Sequence, residues 1–141
     1  ATKILPHNLV EIWKAQISIL KKKPFKLFPD FPQGGLMDVS EYEDGAGKVE
    51  LRAKIAGRDR KTVVIREIPF GTTTEGLIAS IEAAIGQGRV KISSIDDFPT
   101  VQGQCELARA RGSYAREVLP TLFASSACAA TLPYNLLLAA L

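Results

Sequence analysis

The chain has 141 residues, of which 46% are hydrophobic and 23% charged, and its formal net charge is +3. This length predicts one domain with a real core. The charge is too small to indicate a nucleic-acid-binding protein by itself. Cys105 and Cys128 lack the spacing of metal ligands, so we expect buried free thiols of a reduced cytoplasm rather than a metal site.

The first predicted element is an N-terminal helix within residues 1–23. Asn8 has the character of an N-cap, with Glu11 three residues further on. An apolar stripe follows at helical spacing: Leu9, Ile12, Trp13, Ile17 and Leu20. Residues 21–23 are all lysine and are expected in the last turn, where they either favour the helix dipole or contact a phosphate. Pro24 then ends the helix.

Residues 24–47 contain three prolines and four glycines, which predicts an irregular connection. Residues 48–55 alternate strictly between charged and apolar side chains, which is typical of a half-buried strand. Residues 57–60 predict a turn, and residues 61–68 predict the returning strand of a hairpin.

A helix is expected directly after this hairpin, from about Thr73 to Ile85, with its end at Gly86 or Gly88. Thr72 and Glu75 have the spacing of a capping box at its start. Further strands are predicted at 90–95 and 104–111. A second helix is predicted from Ser113, which the proline at position 120 should kink or shorten.

The last strand is expected within residues 128–141. Residues 118–141 carry no charge, which is long enough to suggest a membrane span. Prolines at 120 and 133 and several hydroxyl side chains interrupt this stretch, and they favour a buried helix followed by a buried strand. Because the chain starts at Ala1 and finishes in an apolar run, where natural termini are usually polar, we expect a piece of a longer protein.

The predicted fold class is α+β. The expected architecture is a two-layer sandwich with a mostly antiparallel sheet and a β-β-α-β-β-α-β core, to which the N-terminal helix is an addition at one end or edge. The predicted organisation is therefore a single domain, made of the helix within 1–23, the connection 24–47 and the core 48–141.

The sequence offers little for catalysis. The single histidine, His7, favours a packing role at the helix entry. Asp96 and Asp97 could serve a metal ion, but adjacent aspartates favour a turn. The Gly-Thr loop at 71–74 lacks the Lys-Ser/Thr ending of a P-loop. Among the tyrosines, Tyr114 lies nearest to arginines, and we still expect a packing role for it. No catalytic residue and no metal ligand is predicted.

Positive charge is concentrated on the hairpin, where residues 48–66 hold seven basic residues against two acidic ones. Such a stripe suits the backbone of duplex DNA, and binding of this kind is salt-dependent and independent of sequence. The alternative is a solvated strand face. The predicted DNA-binding residues are Lys48, Arg52, Lys54, Arg58, Arg60 and Lys61.

Three blocks of sequence together resemble a known family. They are Leu-Pro-His-Asn-Leu at 5–9, Pro-Asp-Phe-Pro-Gln-Gly-Gly at 29–35, and Glu-Ile-Pro-Phe-Gly-Thr-Thr-Thr-Glu-Gly-Leu-Ile at 67–78. In order and spacing they are similar to the A subunit of bacterial type IIA topoisomerases, and more to topoisomerase IV than to gyrase. The resemblance covers most of the chain and is weaker after about residue 100.

The resemblance implies the tower region of a subunit that breaks and rejoins DNA for decatenation or relaxation. In that family the catalytic tyrosine and its arginine partner lie upstream of the first block, so the chain itself is expected to be inactive. The implied partners are double-stranded DNA, an ATPase B subunit that holds Mg²⁺ and ATP, and a second A subunit. No cofactor is expected in the chain, and the implied location is the cytoplasm, at the nucleoid. The alternative is a stand-alone, non-catalytic α+β module that binds nucleic acid or protein.

Overall fold

Helices and strands alternate through the part of the chain that the computed structural model describes, residues 4–57, 62–97, 105–109 and 114–133. In chain order they are α1 (Leu9–Leu20), β1 (Leu36–Asp38), a short 3-10 helix (Glu43–Gly45), β2 (Lys48–Arg52), β3 (Lys54–Gly57), β4 (Thr62–Glu67), α2 (Thr74–Gly86), β5 (Ile92–Asp97), β6 (Cys105–Arg109), α3 (Ala115–Ser125) and β7 (Ala129–Pro133).

The chain forms two units. The described residues of unit 1 lie within 4–32, 38–50 and 131–133, and those of unit 2 lie within 33–37 and 51–130. The predicted irregular connection thus contains only one short strand, β1, and one turn of 3-10 helix.

Helix α1 begins and ends with well-formed caps. Asn8 is the N-cap, as expected, because its side-chain oxygen accepts a hydrogen bond from the amide of Val10 at 2.9 Å. The helix ends before the lysines, which corrects their predicted place in its last turn. Lys22 has a φ of 52°, and its amide and that of Lys23 donate to the carbonyls of Ile19 and Ser18. This is a Schellman motif with lysine at the left-handed position that glycine usually occupies.

The strand predicted over residues 48–55 is divided in two. The Ala53 amide donates to the carbonyl of Cys128 at 2.7 Å, and β2 ends before this residue while β3 begins after it. Strand β2 belongs to a three-stranded sheet of order β1-β2-β7, and β3 belongs to a four-stranded sheet of order β3-β4-β6-β5. The alternation correctly predicted burial of Val49, Leu51 and Ala53, since it reports which side chains are covered but not where a strand changes sheet.

The four-stranded sheet of unit 2 is antiparallel throughout. Strand β4 pairs with β3 on one side and with β6 on the other, and β6 pairs with β5. Because β4 and β5 are both antiparallel to β6, they run in the same direction, and α2 connects them with β6 inserted between. Near the start of β3 the register shifts between Lys54, which faces Glu67, and Ile55, which faces Ile65. Arg66 therefore has no opposite residue in β3.

Helix α2 is capped one residue later than the sequence predicted. The Thr72 amide donates to the carbonyl of Pro69 at 3.1 Å, and Gly71 has a φ of 84°, which is the geometry of a type II turn. Thr72 is therefore used in the turn, and Thr73 becomes the N-cap, whose hydroxyl accepts from the amide of Gly76 at 3.1 Å. The expected capping box with Glu75 is wrong for this reason. The other end is as predicted, with Gly86 the last helical residue and Gly88 in the left-handed region.

The core of unit 2 lies where α2 and α3 meet the four-stranded sheet. Its buried members are Ala53, Ile65, Ile68, Leu77, Ile81, Ala84, Val90, Ile92, Leu107, Val118, Leu122 and Cys128. Helix α3 continues through Pro120 without ending there, contrary to a shortened helix. Its N-cap is Tyr114, which makes no side-chain capping bond. The expected cap, Ser113, lies outside the described residues.

The predicted fold class, α+β with antiparallel strands, is confirmed. The order of elements from β2 onward also agrees with the β-β-α-β-β-α-β prediction, once the first strand is counted as β2 plus β3. The difference is that the strands form two sheets in place of one, because the backbone leaves one sheet at Ala53 and joins the other at Lys54.

Candidate nucleic-acid interface

The predicted basic stripe starts at Lys48, the first residue of β2. Its Nζ lies 2.8 Å from Oε2 of Glu41, and both side chains are largely exposed. The hydrogen bond to Glu41, reinforced by the charge of that carboxylate, raises the pKa of Lys48. Lys48 is therefore cationic at neutral pH, but a nearby anion already neutralises much of its field.

Arg52 is the last residue of β2, and its side chain is exposed. Its guanidinium lies 5.6 Å from the centre of the Phe123 ring, on α3 of the same unit. A cation over an aromatic face is held in place while its N–H donors stay free for an anion. Within the described part of the chain Arg52 makes no ion pair. Among Lys48, Arg52 and Lys54, the predicted residues whose positions are described, its charge is thus the one that no ion pair neutralises.

Lys54 opens β3, and its Nζ lies 3.2 Å from Oε1 of Glu67 on β4. The other oxygen of Glu67 accepts a hydrogen bond from the Gly35 amide at 2.6 Å. The Gly35 hydrogen bond, followed by the one from Lys54, lowers the pKa of Glu67. Lys54 consequently helps to hold the 34–35 loop against β4, in addition to any role toward DNA.

That loop leaves no room for a side chain. A Cβ built on Gly34 would lie 2.5 Å from Oε2 of Glu67, and Gly34 and Gly35 have φ values of 77° and 93°. The two glycines belong to the second sequence block and Glu67 opens the third, so the blocks meet here. In unit 1 the first and second blocks meet as well, because the Asp30 amide donates to the Pro6 carbonyl at 2.8 Å and the Asn8 side chain donates to that of Asp30 at 3.2 Å.

The predicted stripe is therefore not one continuous row of free cations. The break at Ala53 places Lys54 in a different sheet from Lys48 and Arg52, and two of these three cations carry an ion pair. Arg58, Arg60 and Lys61 fall outside the described residues and stay predictions.

Two further sets of cations were not among the predicted site residues. Arg66 is exposed at the register shift of β4, a position that no local sequence pattern reveals. Lys21, Lys22 and Lys23 are exposed beyond the end of α1, and in the described part of the chain none of them makes an ion pair. A phosphate contact is one of the two roles that the sequence suggests for this lysine run. Because the lysines lie beyond the end of α1, their ammonium groups are accessible.

The candidate catalytic side chains are occupied in packing or lie apart. His7 donates from Nδ1 to the carbonyl of Leu5 at 2.7 Å. Tyr42 is buried, and its ring meets that of Phe28 edge-on, with centroids 5.6 Å apart. Tyr114 is exposed, with the Arg116 guanidinium 5.7 Å from its ring centre.

The sequence favours a turn for Asp96 and Asp97, and this prediction is wrong. Both residues lie in β5, where they pair with Glu106 and Cys105 of β6. The sheet pairing continues through both aspartates and overrides their turn propensity. Among the described residues no group of three or more histidine, cysteine, aspartate and glutamate side chains could hold a metal ion. Cys128 is a buried free thiol, and burial raises its pKa.

The helices of the described part contain none that is long and apolar enough to cross a bilayer. The uncharged C-terminal stretch instead begins within α3 and includes β7, as far as residue 133. The predicted helix followed by a strand is thus found there, but while α3 has two buried residues, no residue of β7 is buried.

Comparison with known proteins gives a consistent result. The family model for the A subunit of DNA gyrase/topoisomerase IV matches residues 1–140. The A subunit of DNA topoisomerase 4 from Borreliella burgdorferi is 51% identical over 138 residues, which cover 98% of this chain and 22% of the relative. The gyrase A subunit of Lawsonia intracellularis is 33% identical over 107 residues, or 64% of this chain and 13% of the relative. That of Thermotoga maritima is 37% identical over 97 residues, or 57% of this chain and 12% of the relative.

The chain spans about a fifth of the length of the topoisomerase 4 relative, and a smaller share of the gyrase relatives. The match extends over nearly every residue, including the segment after residue 100 where the three sequence blocks give no guidance. The chain belongs to the family of DNA gyrase/topoisomerase IV A subunits.

Proposed function

We propose that these 141 residues are part of the DNA breakage-reunion subunit of an ATP-dependent type II topoisomerase that decatenates or relaxes DNA, as topoisomerase IV does. The observation that carries the proposal is the 51% identity to the A subunit of a topoisomerase 4 over 98% of the chain. The gyrase relatives above are less similar and match a smaller share of the chain.

Within such a subunit the chain flanks the DNA gate and contacts the duplex through its phosphate backbone. The proposed ligands are the hairpin cations Lys48, Arg52, Lys54, Arg58, Arg60 and Lys61. Arg52 is the strongest of these, because it is exposed, supported by Phe123 and free of an ion pair in the described part. The lysine run at 21–23 is the next candidate. Contacts to phosphates position a protein on DNA without reading its sequence.

The chain supplies no chemistry of its own to the reaction. The nucleophilic tyrosine, Mg²⁺ and ATP belong to other parts of the proposed enzyme, the metal and nucleotide being held by the B subunit. Partners in this proposal are the B subunit, duplex DNA and a second A subunit, in the cytoplasm. The support is that the resemblance implies a catalytic tyrosine upstream of the first sequence block, while Tyr42 is packed against Phe28.

The test of the DNA contact is the salt dependence of duplex affinity, measured for the complete A subunit. Each phosphate contact contributes roughly 0.9 to the slope of log affinity against log salt. Arg52→Gln should lower the slope by up to about this amount, and the triple variant Lys21→Gln, Lys22→Gln, Lys23→Gln tests the second surface in the same way.

The matched control is Arg89→Gln, which removes the same charge from an exposed position after α2 and should leave the slope unchanged. Lys54→Gln is the variant that separates the two roles of Lys54, since a structural role changes stability while a phosphate contact changes the slope. If Arg52→Gln and Lys54→Gln both leave the slope at the wild-type value, the hairpin is a solvated face and the proposed DNA contact is wrong.

A further inference from the structure

Helix α1 exposes most of its apolar surface. Of its twelve residues, all of them described, only Ala15 is buried. Six large apolar side chains of the helix are between 49% and 84% exposed. Five of them, which we call the α1 stripe, are Leu9, Val10, Trp13, Ile17 and Leu20, and the sixth is Ile19. The sequence had predicted an apolar stripe on this helix, and the structure places most of that stripe in solvent.

The members of the α1 stripe share one face of the helix. At 100° per residue, Leu9, Trp13 and Leu20 fall within about 40° of one another, and Val10 and Ile17 extend this face to roughly 100°. An amphipathic helix normally turns such a face toward a core. A contiguous apolar patch left open on a protein surface usually marks an interaction site. Ala15, the buried residue of the helix, lies on the opposite side, although Ile19, about 40° from it at this spacing, is 56% exposed.

We propose that the α1 stripe is the docking surface for another segment of the same A subunit, one outside these 141 residues. This inference rests on the proposed function, because its occupant is the rest of that subunit. The topoisomerase 4 relative has its remaining four-fifths outside the matched region, so a family subunit has ample chain to provide an apolar partner surface.

A second copy of this chain is a poorer occupant for reasons of area. A helix of twelve residues is about 18 Å long, and one face of it buries only a few hundred Å², whereas a specific complex typically needs roughly 800 Å² from each partner. A segment of the same subunit needs no such area, because the covalent connection removes most of the translational and rotational cost of association.

Charge along the edge of the α1 stripe describes the partner surface further. Lys14 is exposed and lies on the side of the stripe next to Ile17 and Val10, as the helical spacing requires. On the other side lies Gln16, which is uncharged. The occupant is therefore expected to be an apolar groove or helix face with an acidic group at the edge that meets Lys14.

Trp13 makes this proposal directly measurable, because it is the only tryptophan in the sequence. In the 141-residue chain its indole is 55% exposed, so its emission should be red-shifted and readily quenched by acrylamide. In the full-length A subunit, with any other tryptophans replaced by phenylalanine, the emission should move to shorter wavelength and the quenching constant should fall. Both changes should be independent of protein concentration.

Two other results of this measurement would contradict the proposal. If Trp13 is equally quenched in the 141-residue chain and in the full-length subunit, the α1 stripe is not covered by the subunit. If protection appears in the 141-residue chain as its concentration rises, together with a dimer in analytical ultracentrifugation, the occupant is a second copy. Strand passage by the full-length subunit with ATP and its B subunit is measured separately, so that a failure of the proposed function is distinguished from a failure of the docking.

A pair of variants gives an independent readout. Leu20→Gln should leave the thermal midpoint of the 141-residue chain nearly unchanged, because this side chain is 84% exposed there, and should lower the midpoint of the full-length subunit. Ile19→Gln makes a comparable change at an exposed position of the same helix outside the α1 stripe; it is the matched control and should shift the midpoints of the two proteins alike. An unchanged midpoint for Leu20→Gln in the full-length subunit contradicts the proposal.

Discussion

At the scale of single residues, Glu67 joins a glycine loop and a neighbouring strand through one carboxylate. One carboxylate oxygen accepts from the Gly35 amide and the other pairs with Lys54. Both contacts favour the ionised form and lower the pKa of Glu67. The contribution of Glu67 to stability is therefore present above the ordinary pKa of glutamate, about 4.3, and is lost as the pH falls through the lower pKa of the folded state.

The corresponding prediction compares wild type with Glu67→Gln by chemical denaturation across pH. The wild-type protein should be the more stable at neutral pH, and the difference between the two proteins should shrink as the pH falls below about 4. Glu82→Gln, an exposed carboxylate of α2 beyond its first turn, is the control and should not reproduce this loss. A constant difference across the pH range would show that the carboxylate charge is unimportant for holding the loop.

Lys22 gives a second prediction at this scale. Its φ of 52° places a side chain where glycine is preferred, a conformation that costs other residues roughly 1–2 kcal/mol. Lys22→Gly should stabilise the protein by about 0.5–1 kcal/mol, since part of the gain is offset by the greater entropy of glycine in the unfolded chain. Lys22→Gln removes the charge but keeps the Cβ atom, and it should have little effect in thermal denaturation. Equal effects of the two variants would refute the conformational explanation.

At the scale of elements, the N-cap of α2 gives different roles to the neighbouring residues Thr72 and Thr73. Thr73→Ala should destabilise the domain by about 1 kcal/mol, the usual cost of a lost N-cap, because its hydroxyl accepts from Gly76. Thr72→Ala should cost less, because Thr72 serves the preceding turn through its backbone. Chemical denaturation of the two variants measures this directly. A larger loss of stability for Thr72→Ala would show that Thr72 is the N-cap, as the capping box with Glu75 requires.

The elements also show what sequence reasoning can and cannot predict. Alternation and helical spacing located α1, α2 and the hairpin strands, because these periods reflect burial. The division of the first strand at Ala53 has no local signal, because it is caused by a hydrogen bond to Cys128, far along the chain. The shifted cap arises from competition between a glycine turn and a capping box, and the sequence alone gives no ranking of the two.

The candidate site was predictable in composition but not in pairing. The excess of basic residues on the hairpin is visible in the sequence, as is the run of lysines after α1. The sequence does not show that Glu41 neutralises Lys48 and that Glu67 neutralises Lys54, because each carboxylate comes from a different element. The exposure of the α1 stripe could not be predicted either, because the sequence pattern of an apolar helix face is the same whether that face is covered or exposed.

At the scale of the whole molecule, the proposed function predicts that the chain by itself is inert toward DNA topology. Mixing it with supercoiled plasmid, Mg²⁺, ATP and a matching B subunit should leave the plasmid unchanged, because the catalytic tyrosine of the family is expected outside these 141 residues. The complete A subunit under the same conditions is the positive control. A covalent adduct between the 141-residue chain and DNA would refute the prediction.

The pairing of β4 with β6 has a consequence for the kinetics of folding. The ladders β3–β4 and β5–β6 join strands consecutive in sequence, so they close short loops and can form early. The β4–β6 ladder joins residues as distant as Thr62 and Ala108, with α2 between them, and its closure carries a larger entropic cost. The two hairpins are therefore expected to form before the complete sheet. The expected rate-limiting step is the docking of one hairpin onto the other, with α2 connecting them.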